Sequence, residues 1–266
     1  MKYRLIATDF DYTLANTPFL PTERAKNAIR RFQQKGGLFT LVTGRMTRGI
    51  LSRMEGIEPD LPIVSYQGAV VFDTKRNETV KDWNISADNA LLLLDELTEK
   101  DFMFNVYIGD ELWLPQEYPG TRAYCEANKI DFNLCGDIKK FVADNKFTPP
   151  KMLAIMPPDQ AKEMEAYYSE KYRGVFYVTR SSPYYLEFND AKASNALRWI
   201  AEKNGIDRSE ILSLGDSTND LSMLEYAALG VAMGNAMPEV KEKAGLVIGD
   251  CGDDGWAEFV EKICLD

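Results

Sequence analysis

The chain has 266 residues, of which 45% are hydrophobic and 27% charged, with a formal net charge of −10 and no histidine. This composition is typical of a globular protein of one large or two modest domains, and its acidity argues against non-specific binding to nucleic acid or to an anionic membrane surface. Without histidine, Ser-His-Asp hydrolysis, a histidine general base and histidine-ligated zinc are excluded, so carboxylates must carry any catalysis.

Redox and targeting features are few. The four cysteines contain no C-x-x-C pair, and a zinc site without histidine would need all four thiolates, so we expect reduced thiols. Only a short apolar run precedes the first acidic residue, Asp9, at the start of the chain. We therefore expect no signal peptide and no membrane segment, and a cytoplasmic location fits.

Up to residue 83, strand and helix patterns alternate. Short strands are predicted at residues 3–8, 38–42, 63–66, 69–72 and 79–83, and helices at 22–35 and 47–55. Thr22 can cap the first helix, and Gly36 with Gly37 can end it. The alternation favours a parallel sheet in a doubly wound fold.

From about residue 84 the pattern changes to that of an α+β unit with an antiparallel sheet. Helices are predicted at 87–100, 121–128, 138–144 and 160–171, and strands at 103–107, 111–114, 151–156, 175–179 and 184–188. After residue 190 the alternation returns, with helices at 192–203, 217–227, 239–244 and 254–263, and strands at 211–214, 230–233 and 246–248.

These patterns predict an α/β protein with two parts. A doubly wound, Rossmann-like parallel-sheet core comprises residues 1–83 and 184–266, and residues 84–183 form an inserted α+β cap. A cleft between core and cap, at the carboxyl ends of the core strands, is the expected site.

Asp9 and Asp11 lie two residues apart where the first predicted strand ends. If strand geometry continues through Asp9, Phe10 points away and both carboxylates reach one cavity. Because such carboxylates repel each other, a cation or a raised pKa must offset the charge. The pair could also be an ordinary turn that closes a strand, but a second acidic strand end at Asp216 favours a functional site.

Asp216 follows another predicted strand, and Asp220 lies one helical turn further on. Asp216 could simply cap the helix that follows. Together with Asp9 and Asp11, however, it makes a hard, oxygen-rich site that suits Mg²⁺, which binds through a few carboxylates and a phosphate.

Thr43, Gly44 and Arg45 connect a predicted strand to a helix. Thr43 can donate a hydrogen bond, and Gly44 lets the backbone approach an anion closely. Two possibilities are equally open for Arg45: its side chain faces solvent, or it makes contacts within the site. Lys192 lies at a predicted helix start, where a cation interacts unfavourably with the helix dipole, so helix stability does not explain a lysine at this position. It could also be an ordinary solvent-exposed lysine.

The order of these motifs resembles the haloacid dehalogenase superfamily of phosphotransferases. It runs D-x-D-x-T from Asp9, Thr-Gly-Arg from Thr43, the lone Lys192, and G-D-x-x-N-D around Asp216. The insertion is similar to the large α/β cap of the Cof-type, sugar-phosphatase-like subgroup. The chain departs from the family pattern at Tyr12, where glycine is usual.

The resemblance implies a Mg²⁺-dependent phosphatase of small phosphate monoesters such as sugar phosphates. Asp9 would attack phosphorus and form an aspartyl-phosphate, and Asp11 would protonate the leaving oxygen and later activate water. The metal ligands would be Asp9, the Asp11 main-chain carbonyl and Asp216, with Asp220 holding metal-bound water or a lysine.

The same resemblance implies the substrate-binding residues. Thr43, Gly44 and Lys192 would stabilise the phosphoryl oxygens, and Asn219 would orient the site. Three alternatives remain open: a sugar phosphomutase on the same core, a phosphoacceptor receiver module, and a silent sugar-phosphate-binding regulator. The expected partner is a small phosphorylated metabolite, with no nucleic acid and no membrane, and the chain is expected to be a monomer or a weak homo-oligomer.

Overall fold

The computed structural model describes residues 2–16 and 20–265. Its strands are β1 (Leu5–Thr8), β2 (Leu38–Leu41), β3 (Ile63–Ser65), β4 (Val70–Asp73), β5 (Glu78–Asp82), β6 (Met103–Ile108), β7 (Glu111–Leu114), β8 (Phe132–Leu134), β9 (Lys151–Ile155), β10 (Phe176–Ser182), β11 (Tyr185–Asp190), β12 (Ile211–Gly215), β13 (Leu229–Ala232) and β14 (Leu246–Val247). Its α-helices are α1 (Glu23–Gln34), α2 (Thr47–Leu51), α3 (Ala87–Glu99), α4 (Thr121–Asn128), α5 (Ile138–Asn145), α6 (Pro158–Lys171), α7 (Ala196–Lys203), α8 (Leu221–Tyr226), α9 (Pro238–Lys243) and α10 (Gly255–Val260).

A five-stranded parallel sheet forms the core, in the order β14-β13-β12-β1-β2. This confirms the expected doubly wound, parallel-sheet core. In strand β1, which lies between β12 and β2, every residue is buried. Thr8 pairs with Leu214 on one side and with Leu41 on the other. The carboxyl ends of β1, β2 and β12 are therefore level, and the residues that follow them meet at one edge.

Strands β3, β4 and β5 differ from the parallel arrangement that the first 83 residues suggested. They form a separate antiparallel sheet of three strands. Their connections are short turns, whereas a parallel crossover needs a dozen or more residues. A single parallel bridge between Val42 and Val64 joins this sheet to the end of β2.

The cap is built on a six-stranded sheet in the order β10-β11-β9-β6-β7-β8. Its pairs are antiparallel except that of β7 with β8. The strand β11 pairs with both β10 and β9. The predicted boundary between residues 183 and 184 therefore divides a hairpin, because the cap sheet continues to Asp190 before the chain returns to the core.

The two faces of the cap sheet have different neighbours. Apolar residues such as Met152 and Phe188 pack with the buried side of α3 and α6. The opposite face carries Tyr107, Leu153 and Glu187, and its apolar members pack with residues of the core loops. Charged residues therefore alternate with apolar ones on strands that are buried on both faces, which places polar groups toward the core.

Gly68 lies where the turn after β3 touches the chain that returns from the cap. Its φ is +108°, and a Cβ there would lie 2.1 Å from the carbonyl oxygen of Ala193. Replacement by alanine therefore meets both an unfavourable backbone conformation and a backbone atom that cannot rotate away.

We expect Gly68→Ala to lower the free energy of unfolding by about 3 kcal/mol or more, measured by urea denaturation. The matched control is Gly36→Ala, because Gly36 has a φ of +88° and no heavy atom within 4 Å of its Cβ position. The control substitution should lower the free energy of unfolding by only about 1 kcal/mol. Equal losses would show that the contact with Ala193 is readily relieved.

Candidate active site

Three buried carboxyl groups meet where β1 and β12 end. Asp9 directly follows β1, and its N–H donates to the Leu214 carbonyl at 2.9 Å. Carboxylate oxygens of Asp9, Asp216 and Asp220 lie within 4.8 Å of one another. Their residues are only 4%, 8% and 1% exposed. The level strand ends thus bring together acids that are more than 200 positions apart in sequence.

The position of Asp220 is fixed by the backbone around it. Its Oδ2 accepts hydrogen bonds from the N–H groups of Asp216 and Ser217, at 2.9 and 3.0 Å. A short 3-10 turn, Thr218–Asp220, carries this carboxylate back onto the strand end. Gly215 is required there because a Cβ would lie 2.5 Å from the Cβ of Asp220. Asp220 was expected near the metal, and its carboxylate lies in the acidic cluster.

Burial and mutual repulsion raise the pKa values of these acids. The pKa of Asp9 is well above its usual value, mainly through burial and then through Asp220 and Asp216. Burial, followed by Asp220, likewise raises the pKa of Asp216. Burial raises the pKa of Asp220 to about 7. Such a cluster calls for a positive charge at its centre.

The donor set fits a hard divalent cation. Its groups are oxygens, which Mg²⁺ prefers, and they are close enough to share one ion. Beside them, Asn219 has a buried Oδ1 that has no hydrogen-bond partner among residues 2–16 and 20–265. An unsatisfied acceptor next to three clustered acids is consistent with a site organised around a cation or its bound water.

Asp11 is held by an arginine instead of joining the buried cluster. Arg45 donates from Nε and Nη2 to the two carboxylate oxygens of Asp11, at 2.7 and 2.6 Å. The same guanidinium donates to Asn128 Oδ1 in α4 of the cap, at 3.2 Å. A two-bonded arginine fork fixes a carboxylate's orientation. Of the two possibilities left open for Arg45, the structure shows contact.

The loop after β2 is closely packed. Thr43 is 1% exposed, and its Oγ1 accepts the Arg45 N–H at 3.2 Å. At Gly44, a Cβ would lie 2.4 Å from Nε2 of Gln67, so any larger residue would displace that side chain. Gly44 lies on the wall of the cavity, whereas the buried Thr43 lies behind it.

A cavity of about 510 Å³ lies between the core and the cap. Five of the predicted site residues line it: Asp9, Asp11, Gly44, Asp216 and Asn219. On the cap side its wall includes Tyr107, Tyr124, Lys151, Tyr185 and Glu187.

Lys192 is not brought to this cavity. Its residue is exposed, and its N–H donates to Asp190 Oδ1 in a short 3-10 turn, Ala191–Asn195. The sequence predicted a helix from residue 192, but α7 begins only at Ala196. The turn caps itself through Asp190 and leaves the lysine side chain outside the cavity wall.

A buried ion pair on the cap wall was missed at the sequence level. Lys151 donates from Nζ to Glu187 Oε1 and to the Gly44 carbonyl, each at 2.9 Å. Gln67 Nε2 donates to the other carboxylate oxygen, Glu187 Oε2. Glu187 lies between the apolar residues Leu186 and Phe188 on β11. Lys151 gave no sequence signal, because its partners Gly44 and Glu187 are remote from it in sequence.

Known proteins resemble this chain over nearly its whole length. Residues 6–260 match the family described as haloacid dehalogenase-like hydrolase. The Bacillus subtilis protein YxeH is 29% identical over 272 residues, which cover 99% of each chain. YwtE, named a 5-amino-6-(5-phospho-D-ribitylamino)uracil phosphatase in the same organism, is 26% identical over 283 residues and 98% of each chain.

A solved structure agrees with these sequence matches. A haloacid dehalogenase-like hydrolase from Bacteroides thetaiotaomicron is 28% identical, with a TM-score of 0.80, and the match covers 98% of this chain and 100% of that one. The matches span core and cap alike. Within the described part of the chain, no helix has the length and apolar character needed to span a membrane.

The raised pKa of Asp220 makes a prediction about the metal-free protein. Because the folded pKa of Asp220, about 7, exceeds the usual aspartate value of 3.8, its contribution to stability is complete below the unfolded pKa. That contribution is lost as the pH rises through the folded value. Asp220→Asn keeps an oxygen acceptor for the two N–H groups and does not titrate.

We therefore expect wild-type protein in chelator to lose stability, relative to Asp220→Asn, between about pH 4 and pH 7. Urea denaturation at several pH values measures this difference. Adding Mg²⁺ at the upper pH should restore wild type more than the variant, because the cation offsets the charge. Parallel stability curves for the two proteins in chelator would contradict the assignment.

Proposed function

The chain belongs to the haloacid dehalogenase-like hydrolase family and is a phosphoric monoester hydrolase, as its motif order indicated, and we propose that it is a Mg²⁺-dependent phosphatase of small phosphorylated metabolites acting through an aspartyl-phosphate. The observation that carries this proposal is the cluster of Asp9, Asp216 and Asp220, which opens on a cavity of about 510 Å³ between core and cap. A cavity of this size suits a small metabolite.

In the first step, a carboxylate oxygen of Asp9 attacks phosphorus as the bond from phosphorus to the substrate oxygen breaks. Asp11 gives a proton to the departing oxygen, so the product leaves as an alcohol. In the second step, Asp11 takes a proton from water as the water oxygen attacks the phosphorus of the aspartyl-phosphate. Inorganic phosphate is released and the Asp9 carboxylate is restored.

The cation would be held by the carboxylates of Asp9, Asp216 and Asp220 and by the main-chain carbonyl of Asp11. When bound, Mg²⁺ supplies positive charge that offsets repulsion between the acids and the phosphate. The chain's own residues do the rest. Arg45 holds the Asp11 side chain in one orientation, and Gly44 lets the phosphate approach the backbone of its loop.

A phosphorylated sugar or polyol is the proposed substrate class. The cap wall offers aromatic rings with polar ends, and Tyr107 and Tyr124 are joined by a hydrogen bond of 2.7 Å between their hydroxyl oxygens. Such rings can pack on the carbon face of a polyol while their hydroxyls bond to its oxygens. YwtE, a relative, is named for a phosphoribityl compound.

Removal of the metal or of the nucleophile tests this function. With a panel of phosphate monoesters, we expect Mg²⁺-dependent phosphate release that excess chelator abolishes and Mg²⁺ restores. Asp9→Asn should lower turnover by several orders of magnitude with the fold intact, because the side chains are nearly isosteric but the amide is not nucleophilic.

The matched control for this substitution is Asp88→Asn, on the exposed side of α3. It makes the same chemical change far from the acidic cluster and should leave turnover unaltered. Near-normal turnover in Asp9→Asn would rule out covalent catalysis at this residue. Full activity in chelator would rule out the metal.

A further inference from the structure

A phosphate monoester that enters this cavity needs a cation from the protein. Several carboxylates already face the space in which it would react, and a doubly charged phosphate is repelled by all of them. Among the described residues that line the cavity, the cationic side chains are those of Arg45 and Lys151. The two differ in what they are already bonded to.

The Arg45 guanidinium is committed to the protein. It makes two bonds to the carboxylate of Asp11 and one to Asn128. Rotating it toward a ligand would release the acid that the reaction needs in place. Lys192, the cation expected from the sequence, is exposed and is not among the residues of the cavity wall.

The Lys151 ammonium, in contrast, lies against the loop expected to bind phosphate. It is 3% exposed and donates to the carbonyl of Gly44 and to Glu187. An ammonium has three N–H donors, so these two bonds leave one donor in a group that faces the cavity. Its charge also lies 4.8 Å from the centre of the Tyr107 ring.

A contribution to stability alone does not explain why Lys151 and Glu187 form a buried ion pair. Both side chains are nearly buried, at 4% and 2% exposed, and burying two charges costs several kcal/mol that their attraction often fails to recover. Glu187 also adds negative charge near Asp220, whose pKa it helps to raise. A pair used only for stability would be better replaced by apolar residues.

The pair is also oriented. Gln67 holds Glu187 by its second oxygen, while the ammonium donates to the carbonyl of Gly44 and to the first oxygen of Glu187. A phosphate bound beside Gly44 would therefore lie close to the ammonium, while Gln67 and Lys151 already occupy both oxygens of the Glu187 carboxylate. The carboxylate fixes the position of the lysine side chain.

We propose that Lys151, from strand β9 of the cap, supplies the ammonium that binds the substrate's phosphate group. This inference rests on the proposed function, since it concerns the same cavity. Because the cation comes from the cap and the carboxylates come from the core, the charge balance of the site is complete only with the cap sheet against the loop after β2.

Binding of inorganic phosphate to the full chain in Mg²⁺, measured by isothermal titration calorimetry, tests the proposal without requiring turnover. We expect Lys151→Met to weaken binding about tenfold to a hundredfold, the range for a hydrogen bond to a charged group. Lys203→Met makes the same change at an exposed position at the end of α7 and should leave phosphate affinity unaltered.

A double variant separates charge from packing. Lys151→Met alone leaves the buried Glu187 carboxylate without its cation, which could impair folding. The double variant Lys151→Met with Glu187→Gln removes both charges, and circular dichroism checks that each variant is folded. Phosphate binding should remain weak in the double variant. Recovery to near wild-type affinity would overturn the proposal, because it would mean that the lysine only neutralises Glu187.

Two other results would also overturn the proposal. One is unchanged phosphate affinity in a folded Lys151→Met protein, and the other is a loss of affinity in Lys192→Met that Lys151→Met does not produce. The proposed function fails separately. Lysine-dependent phosphate binding in a protein that hydrolyses no monoester would sustain the inference about Lys151 and refute the phosphatase activity.

Discussion

The repulsion among three buried carboxylates is the constraint on which the rest of the site depends. Asp9, Asp216 and Asp220 are held within 4.8 Å of one another in a nearly dry environment, where like charges interact strongly. Their pKa values are raised accordingly. The fold tolerates the cluster because backbone N–H groups bond to Asp220 and because rigid parallel strands hold the acids in place. A bound cation would relieve the repulsion among the three carboxylates.

The parallel sheet is what makes that arrangement possible. Because β1, β2 and β12 end at one level, residues from three distant segments meet without any long loop to position them. The surrounding contacts then distribute the remaining charge. Arg45 neutralises Asp11 at the mouth of the site, and Lys151 neutralises Glu187 on the cap wall. Asp11 and Glu187, which line the cavity outside the cluster of Asp9, Asp216 and Asp220, are thus each paired with one cation.

The sequence predicted the features that depend on neighbouring residues in the chain. It did not predict those that depend on contacts between residues that are distant in sequence. Asp9 and Asp216 were predictable because an acid directly after a buried strand is visible in a short stretch of sequence. Lys192 was misplaced because the self-capped turn that begins at Asp190 replaces the start of the expected helix. Lys151 could not be predicted, since its significance lies in Gly44 and Glu187, which are remote in sequence. The cap boundary failed for a similar reason: strand pairing, and not local pattern, assigns β11 to the cap.

The cap contacts two of the loops that build the site, and this makes it more than a cover. Lys151 bonds to Gly44 in the loop after β2. At a second contact, the N–H of Arg180 in β10 donates to Thr218 Oγ1, and that hydroxyl also lies 2.7 Å from Glu165 of α6. Thr218 belongs to the turn that carries Asp220 onto the strand end. A shift of the cap would therefore alter both the loop after β2 and the acidic cluster. In this geometry the position of the cap and the arrangement of the charged site are therefore coupled.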